Sequence, residues 1–162
     1  MSIICSVLRT ALAVLLLACS ASAFAQSVAD RPRVHIVYMG GNDCPPCRTW
    51  RSVELPELKK TEAFNNIKFS WVIKSIASPV PPSFLLPTDV KPYKDKLDAA
   101  GGGNGGSPQF VVLVNDEVHD FFFGTKSAVE IEKIITAIHE GRPYPFSRCV
   151  KRGPGWKCET PA

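Results

Sequence analysis

The stretch Gly41-Asn42-Asp43-Cys44-Pro45-Pro46-Cys47-Arg48 holds two cysteines separated by two prolines and directly follows an apolar run. Proline is tolerated in the first turn of a helix, because the first N–H groups of a helix have no partner within it and proline has none to lose. The stretch therefore predicts that a helix begins at the prolines, with Cys44 as its N-cap. Cys47 lies one turn further along the same face, within reach of Cys44 and more buried.

Cys44 is the expected nucleophile of a redox dithiol. The thiolate is the reactive form of cysteine, and a helix N-terminus stabilises it through the helix dipole and free N–H groups. Cys47 then resolves the mixed disulfide, so two electrons are exchanged without a cofactor. The prolines remove N–H donors and Asp43 disfavours a thiolate, whereas Arg48 favours it. We therefore expect the pKa of the Cys44 thiol to be only moderately lowered, which is typical of a reductant or a middle-potential exchanger of disulfides. A structural disulfide or an inert pair is the alternative.

The surrounding sequence predicts the order strand, helix, strand, long connection, strand, strand, helix. The strands are expected at 33–39, 67–74, 109–114 and 118–123, and the last helix at 127–140. The first helix is predicted to continue to about Phe64, with a bend caused by Pro56. Its inner face is expected to carry Trp50, Val53 and Leu58.

Residues 75–107 form the long connection. This segment has five prolines between Pro79 and Pro92, a short predicted helix at 93–100 and a glycine-rich end at 101–106. Loops of this length inside a compact domain are usually functional or mobile. A tolerated surface insertion is the alternative interpretation.

This order of elements, with Cys-Pro-Pro-Cys opening the first helix and Ser107-Pro108 directly before the hairpin, resembles the thioredoxin superfamily over about residues 33–141. The resemblance implies an α/β, thioredoxin-like fold, with a central mixed sheet of about four strands flanked by helices. It also implies that Pro108 is cis and lies against the dithiol. Ser107, Pro108 and Gln109 are then the expected substrate-binding residues, with Ser107 and Gln109 offering backbone groups to an extended substrate segment.

The sequence departs from thioredoxin itself at two helper positions. The tryptophan that usually precedes the first cysteine is Asp43, and the buried acid that usually lies six residues before it is Tyr38. The group that assists the resolving thiol is therefore unassigned by the resemblance.

Residues 1–25 are typical of a signal peptide. Arg9 precedes the apolar run 11–18, and Ala23-Phe24-Ala25 offers the small residues that a signal peptidase recognises, so cleavage is expected before Gln26. The mature protein is then periplasmic or secreted. A retained anchor is one alternative, and a lipoprotein attached to the membrane through Cys19 is another.

Cleavage before Gln26 leaves four cysteines in two close pairs, an even count that suits an oxidising compartment. The second pair, Cys149 and Cys158, spans a Gly-Pro-Gly turn in a C-terminal tail at 142–162 that follows the domain at 26–141. We expect a structural disulfide here that stabilises the tail by about 2–3 kcal/mol. A second redox centre and a basic recognition surface are the alternatives.

The sequence thus predicts an exported thiol:disulfide oxidoreductase that acts on protein thiols and disulfides and is reset by an unidentified redox partner. A net charge of +4 is too small to indicate nucleic acid binding. His35, His119 and His139 stand in no metal-binding spacing. Two alternatives remain: Cys44 and Cys47 could bind copper(I) or zinc for delivery, or the chain could be a redox-silent adaptor that binds another protein.

Overall fold

The computed structural model describes residues 31–152 and 155–160. The chain divides into two units, residues 1–31 and residues 32–162, and the fold below is that of the second unit. The predicted signal peptide, the cleavage site before Gln26 and Cys19 lie outside the described residues.

A four-stranded mixed sheet organises this unit. Its strands are β1 (Val34–Met39), β2 (Lys68–Val72), β3 (Gln109–Val114) and β4 (Glu117–Phe123). Their order across the sheet is β2-β1-β3-β4, with β1 parallel to β2 and antiparallel to β3, and with β4 antiparallel to β3. Helices flank the sheet, which confirms the predicted α/β, thioredoxin-like arrangement.

Strand β1 lies inside the sheet, and all six of its residues are buried. A strand covered on both faces is a nearly continuous apolar run, because neither set of alternating side chains meets water. Ile36 and Tyr38 belong to the apolar core on one face, whereas Val37 and Met39 belong to the core on the other face. The chain leaves β1 after Met39 and runs directly to the two cysteines.

The first helical region is continuous from Pro45 to Leu58 but changes its hydrogen bonding on the way. It consists of α1 (Pro45–Thr49), a π-helix (Trp50–Glu54) and α2 (Leu55–Leu58), and α3 (Glu62–Asn65) follows after a turn. In the π-helix the N–H of Leu55 donates to the carbonyl of Trp50, five residues earlier. A continuous α-helix would require residue 56 to donate to residue 52, which Pro56 cannot do.

The prediction that Val53 faces the core is wrong. Its side chain is 53% exposed, whereas Trp50 and Leu58 are buried as predicted. Val53 lies within the π-helix, which holds more residues per turn than the 3.6 of an α-helix, so its side chain is turned away from the position that the α-helical period assigns to it.

Residues 75–107 supply five of the eleven buried side chains in the core on one face of the sheet, so the segment is not the tolerated surface insertion that the sequence allows as an alternative. The segment contains short 3₁₀ helices at Ser83–Leu85 and Lys91–Tyr93 and the helix α4 (Lys94–Gly101). Its buried apolar side chains pack on the sheet face of Val37 and Met39, and they are Val80, Leu86, Val90, Leu97 and Ala100. Burial of one Val or Leu side chain contributes about 1.5–3 kcal/mol, so this layer stabilises the sheet substantially.

Helix α5 (Ala128–His139) covers the opposite face, together with the first helical region. Ser127 caps it through a complete capping box: its hydroxyl accepts from the N–H of Glu130, whose carboxylate accepts from the N–H of Ser127. The indole N–H of Trp50 donates to the carbonyl of Lys126 at 2.7 Å, which ties the π-helix to the start of α5.

The C-terminal tail forms a hairpin of two strands that the sequence does not predict, β5 (Arg148–Arg152) and β6 (Gly155–Glu159). Arg148 donates to the carboxylate of Glu159 through both its Nε, at 2.9 Å, and its Nη2, at 2.5 Å. In the part of the chain that the structure describes, no helix has both the length and the apolar character needed to cross a membrane.

Candidate active site

Cys44 and Cys47 form a disulfide at the start of α1, with an S–S distance of 2.02 Å. Cys44 is the N-cap, as predicted: its backbone is extended, and its sulfur accepts a hydrogen bond from the N–H of Cys47 at 3.2 Å. Pro45 and Pro46 have no N–H, so Cys47 carries the first donor that the helix can offer to this sulfur.

Both cysteines are fully buried, at 0% exposure, so the expectation that Cys47 is the more buried of the two is not met. The reason is that both belong to the apolar core on the face of the sheet that α5 covers. Any molecule that reacts with the Cys44 sulfur therefore needs a local rearrangement around the disulfide.

Tyr38 lies in the place where the resemblance puts a buried acid. Its side chain is fully buried, and its hydroxyl donates to the carbonyl of Cys47 at 3.4 Å. Burial raises the pKa of this hydroxyl, so it keeps its proton at neutral pH.

Asp43 binds the segment that follows β2 and so holds this segment close to the disulfide. Its Oδ2 accepts from the N–H of Ile76 at 3.0 Å and from the hydroxyl of Ser75 at 3.1 Å. The hydrogen bond from Ile76 holds the pKa of the Asp43 carboxyl below its usual range, and the Ser75 hydroxyl acts in the same direction. A carboxylate is therefore present next to Cys44.

Lys74 connects the same turn to the glycine-rich end of the long connection. This lysine is buried, and its ammonium donates to the carbonyls of Ser78 and, at 2.7 Å, of Gly106. Burial lowers the pKa of Lys74. Gly105 packs directly on the backbone of Ala77, where an added Cβ would lie 2.1 Å from the carbonyl oxygen.

The Ser107–Pro108 peptide bond is cis, as the resemblance implies. Gln109 pairs with Met39, the last residue of β1, so Pro108 lies at the end of the sheet from which the chain runs to the cysteines. The Gln109 side chain is fully buried and its Nε2 donates to the carbonyl of Asn104 at 3.3 Å. The Ser107 hydroxyl and the Gln109 Oε1 are buried and have no hydrogen-bond partner among the described residues. The assignment of Ser107, Pro108 and Gln109 to substrate binding stays a prediction.

Two arginines hold the loop before the cysteines. Arg48 donates to the carbonyl of Asn42 at 2.7 Å, and Arg51 donates to the side-chain oxygen of Asn42 at 2.8 Å and to the carbonyl of Gly41 at 3.2 Å. Sequence reasoning missed Arg51. The available signal was its spacing, because residues three and four apart on a helix share a face.

The second cysteine pair lies in the C-terminal hairpin. Cys149 and Cys158 stand opposite each other in the register of β5 and β6, and Cys158 is disulfide-bonded. The side chain of Cys149 lies outside the described residues. The Cys149–Cys158 disulfide therefore stays a prediction, with a backbone register that suits it.

His35 is buried in β1, at the end of the strand away from the cysteines. Its Nε2 lies 2.8 Å from the hydroxyl of Ser70, which in turn donates to Asp89, while its Nδ1 has no hydrogen-bond partner among the described residues. Burial is the main cause that lowers the pKa of His35 to about 4. Within residues 31–152 and 155–160, no three His, Cys, Asp or Glu side chains are grouped to hold a metal ion.

No protein-family model matches the chain, and no curated protein matches it by sequence. Several solved structures are similar to it. The Trxlp protein of Edwardsiella tarda EIB202 shares 15% identity at a TM-score of 0.42, over 70% of this chain and 91% of its own. A thiol:disulfide interchange protein of the thioredoxin family from Chlorobium tepidum TLS shares 19% identity at a TM-score of 0.43, over 65% of this chain and 79% of its own.

A third similar structure is the reduced thioredoxin pre-protein of Schistosoma mansoni, with 14% identity and a TM-score of 0.40 over 72% of this chain and 90% of its own. These similar structures thus include a thioredoxin and a thioredoxin-family protein.

Proposed function

We propose that the protein is an exported thiol:disulfide oxidoreductase that exchanges disulfides with protein substrates through Cys44 and Cys47. The observation that carries the proposal is the Cys44–Cys47 pair at a helix start, at the same end of the sheet as Pro108. Two cysteines at this spacing can cycle between a disulfide and a dithiol without moving the backbone far, because their Cα atoms are 5.2 Å apart.

In the reducing direction, the Cys44 thiolate attacks one sulfur of a substrate disulfide. A bond forms between Cys44 and that sulfur, and the other substrate sulfur leaves with the electron pair of the broken bond. The Cys47 thiolate then attacks the Cys44 sulfur, which re-forms the Cys44–Cys47 disulfide and releases the second substrate sulfur as a thiolate. Two electrons pass to the substrate, and an external reductant must restore the dithiol.

We expect a reductant or a middle-potential exchanger rather than a strong oxidant. A strong oxidant needs a highly stabilised Cys44 thiolate. Pro45 and Pro46 lack the N–H groups that could donate to the Cys44 sulfur. Among the described residues, this sulfur accepts one hydrogen bond, which comes from the N–H of Cys47. The carboxylate of Asp43 next to Cys44 also opposes negative charge on the sulfur.

Trapping of mixed disulfides tests the proposal. Replacement of Cys47 by Ala leaves Cys44 able to attack a substrate but leaves the mixed disulfide unresolved, so Cys44-linked proteins should accumulate in cells and disappear on treatment with dithiothreitol. The matched control is the Cys44→Ala variant, which should trap far less. If folded, exported Cys47→Ala protein carried no Cys44-linked partner, the oxidoreductase proposal would be wrong. Export itself is tested by the N-terminus of the mature protein, which should be Gln26.

A further inference from the structure

The ring of Tyr38 is held in one orientation by aromatic neighbours on three sides. It stacks on Trp50, with ring centroids 4.8 Å apart and an interplanar angle of 14°. Phe110 and Trp71 contact it edge-on, with centroids 5.1 Å and 5.9 Å away. A ring enclosed in this way has no room to turn, so the direction of its hydroxyl is fixed.

That hydroxyl points towards Cys47. A Cβ atom added at Gly40 would lie 2.5 Å from the Tyr38 hydroxyl oxygen and 3.0 Å from the Cys47 sulfur. The Tyr38 hydroxyl oxygen and the Cys47 sulfur therefore both lie close to the position of this added Cβ. The distance between the oxygen and the sulfur is at most the sum of their two distances from the added Cβ. The hydrogen bond that the hydroxyl makes now, to the Cys47 carbonyl at 3.4 Å, is long and therefore weak.

Arg51 places a positive charge next to this hydroxyl. Its guanidinium lies over the Trp71 ring, 4.8 Å from the centroid, and is anchored by its hydrogen bonds to Gly41 and Asn42. It is the charged side chain that acts on the Tyr38 hydroxyl, and it opposes the rise in pKa that burial causes. Phe110 and Trp71, which face Tyr38 from β3 and β2, carry no charge. The hydroxyl that lies near the Cys47 sulfur is therefore a proton donor with a cation acting on it.

We propose that the Tyr38 hydroxyl, with Arg51 behind it, donates a hydrogen bond to the Cys47 sulfur once the disulfide is opened, and so stabilises the Cys47 thiolate that attacks the mixed disulfide. This inference rests on the proposed function for its role in catalysis. The Cys47 proton passes to water as the site opens, and Tyr38 keeps its own proton. The bond between the Cys47 and Cys44 sulfurs forms as the bond between Cys44 and the substrate sulfur breaks, and the substrate sulfur leaves as a thiolate. A hydrogen bond takes the place of the acid that the resemblance implies.

The test measures the ionisation of Cys47 directly. In a Cys44→Ala background, the rate of Cys47 alkylation by iodoacetamide is followed against pH and assigned by mass mapping, so that the midpoint reports the Cys47 pKa. Adding Tyr38→Phe keeps the stacked ring and removes only the hydroxyl. We expect the midpoint to rise by about 1 unit, which means about tenfold less thiolate at neutral pH. Arg51→Gln should shift the midpoint in the same direction.

Tyr93→Phe in the same background is the matched control, because the Tyr93 hydroxyl bonds to Asp116 and not to the dithiol. It should leave the midpoint unchanged. A Tyr38→Phe protein that unfolds like its parent and shows the parent's Cys47 midpoint would overturn the inference. This readout uses a small alkylating reagent, so it is independent of whether the protein exchanges disulfides with other proteins. If no mixed disulfide is trapped but the midpoint shifts, the proposed function fails while the Tyr38 contact stands.

Discussion

The carboxylate of Asp43 accepts a hydrogen bond from the backbone N–H of Ile76, so the residue directly before Cys44 is tied to the chain that leaves β2. The same oxygen accepts from the Ser75 hydroxyl. The turn that begins at Ser75 therefore cannot move away from the disulfide without breaking these bonds. Since both sulfurs are fully buried, the bonds to Asp43 oppose the rearrangement that exposes them.

Replacement of Asp43 by Ala should speed the reduction of the Cys44–Cys47 disulfide by dithiothreitol about three- to tenfold, because it removes both hydrogen bonds and makes local opening easier. Asp43→Asn is the matched variant: it also removes the charge but retains an oxygen that can accept. The asparagine variant should therefore react more slowly than the alanine variant. Equal rates for wild type and Asp43→Ala would show that Asp43 does not restrict access.

Replacement of Gly40 by Ala should disturb the dithiol itself. The new Cβ would meet the Tyr38 hydroxyl at 2.5 Å and the Cys47 sulfur at 3.0 Å, both within a packed core. We expect a loss of about 1–3 kcal/mol in the free energy of unfolding and an altered reduction rate of the disulfide. Gly103→Ala is the control: its φ is +74, but an added Cβ meets nothing within 4 Å. The Gly103→Ala variant should be less stable but should have the wild-type rate of disulfide reduction. If both variants changed the reduction rate equally, the effect of Gly40→Ala could not come from contact of its Cβ with Tyr38 and Cys47.

Local signals in the sequence were enough to place the dithiol and the hairpin. Cys44 caps α1 because proline suits the first helical turn, and Asn115 and Asp116 adopt the positive φ that a tight hairpin requires. The cis form of Pro108 followed from the resemblance and not from the residues alone. These features depend on a few neighbouring residues or on a family pattern.

Features that depend on tertiary packing could not be predicted in this way. The 3.6-residue repeat of an α-helix assigns Val53 to the inner face of the first helix. The π-helix has a different repeat, and in it Val53 is exposed. Residues 75–107 bury their apolar side chains at irregular spacing, so no periodic pattern marks Leu86 or Val90 as core. The burial of Cys44 arises from contacts between segments that lie apart in the sequence.

Replacement of Tyr144 by Phe should lower the free energy of unfolding by about 2 kcal/mol at pH 7. Its hydroxyl donates to Asp120 at 2.6 Å, and Asp120 is only 2% exposed, with its other oxygen lacking a hydrogen-bond partner among the described residues. Tyr93→Phe removes a hydrogen bond of equal length, but to Asp116, whose side chain is 51% exposed and can bind water instead. This control should lose much less stability in urea unfolding.

The Tyr144→Phe effect should also depend on pH. Burial raises the pKa of Asp120, so the folded protein holds this proton at a pH where the unfolded chain has released it. The lost hydrogen bond matters most for the ionised carboxylate, so the difference from wild type should shrink as the pH falls through the pKa of Asp120. A difference that grew towards low pH would contradict this assignment.

His35 should make the protein less stable in mild acid. Burial lowers its pKa from 6.5 to about 4, so between these values the unfolded chain binds a proton that the folded protein does not. Stability therefore falls as the pH drops through this window. Between pH 7 and pH 4.5 we expect wild type to lose about 2–3 kcal/mol more than His35→Gln, measured by urea unfolding. Parallel losses in the two proteins would rule out His35 as the cause.

The π-helix at Trp50–Glu54 also affects how this chain can be compared with others. One additional residue in a helical turn rotates all later side chains by about 100° relative to an uninterrupted α-helix. A homologue can have an uninterrupted α-helix at this place. Its helix would align with this chain up to Thr49, and again from Leu55 onward, only if the alignment contains a one-residue gap between Thr49 and Leu55. An ungapped alignment would compare Leu58 with a residue on a different face, and substitutions beyond the dithiol would then be assigned to the wrong side of the helix.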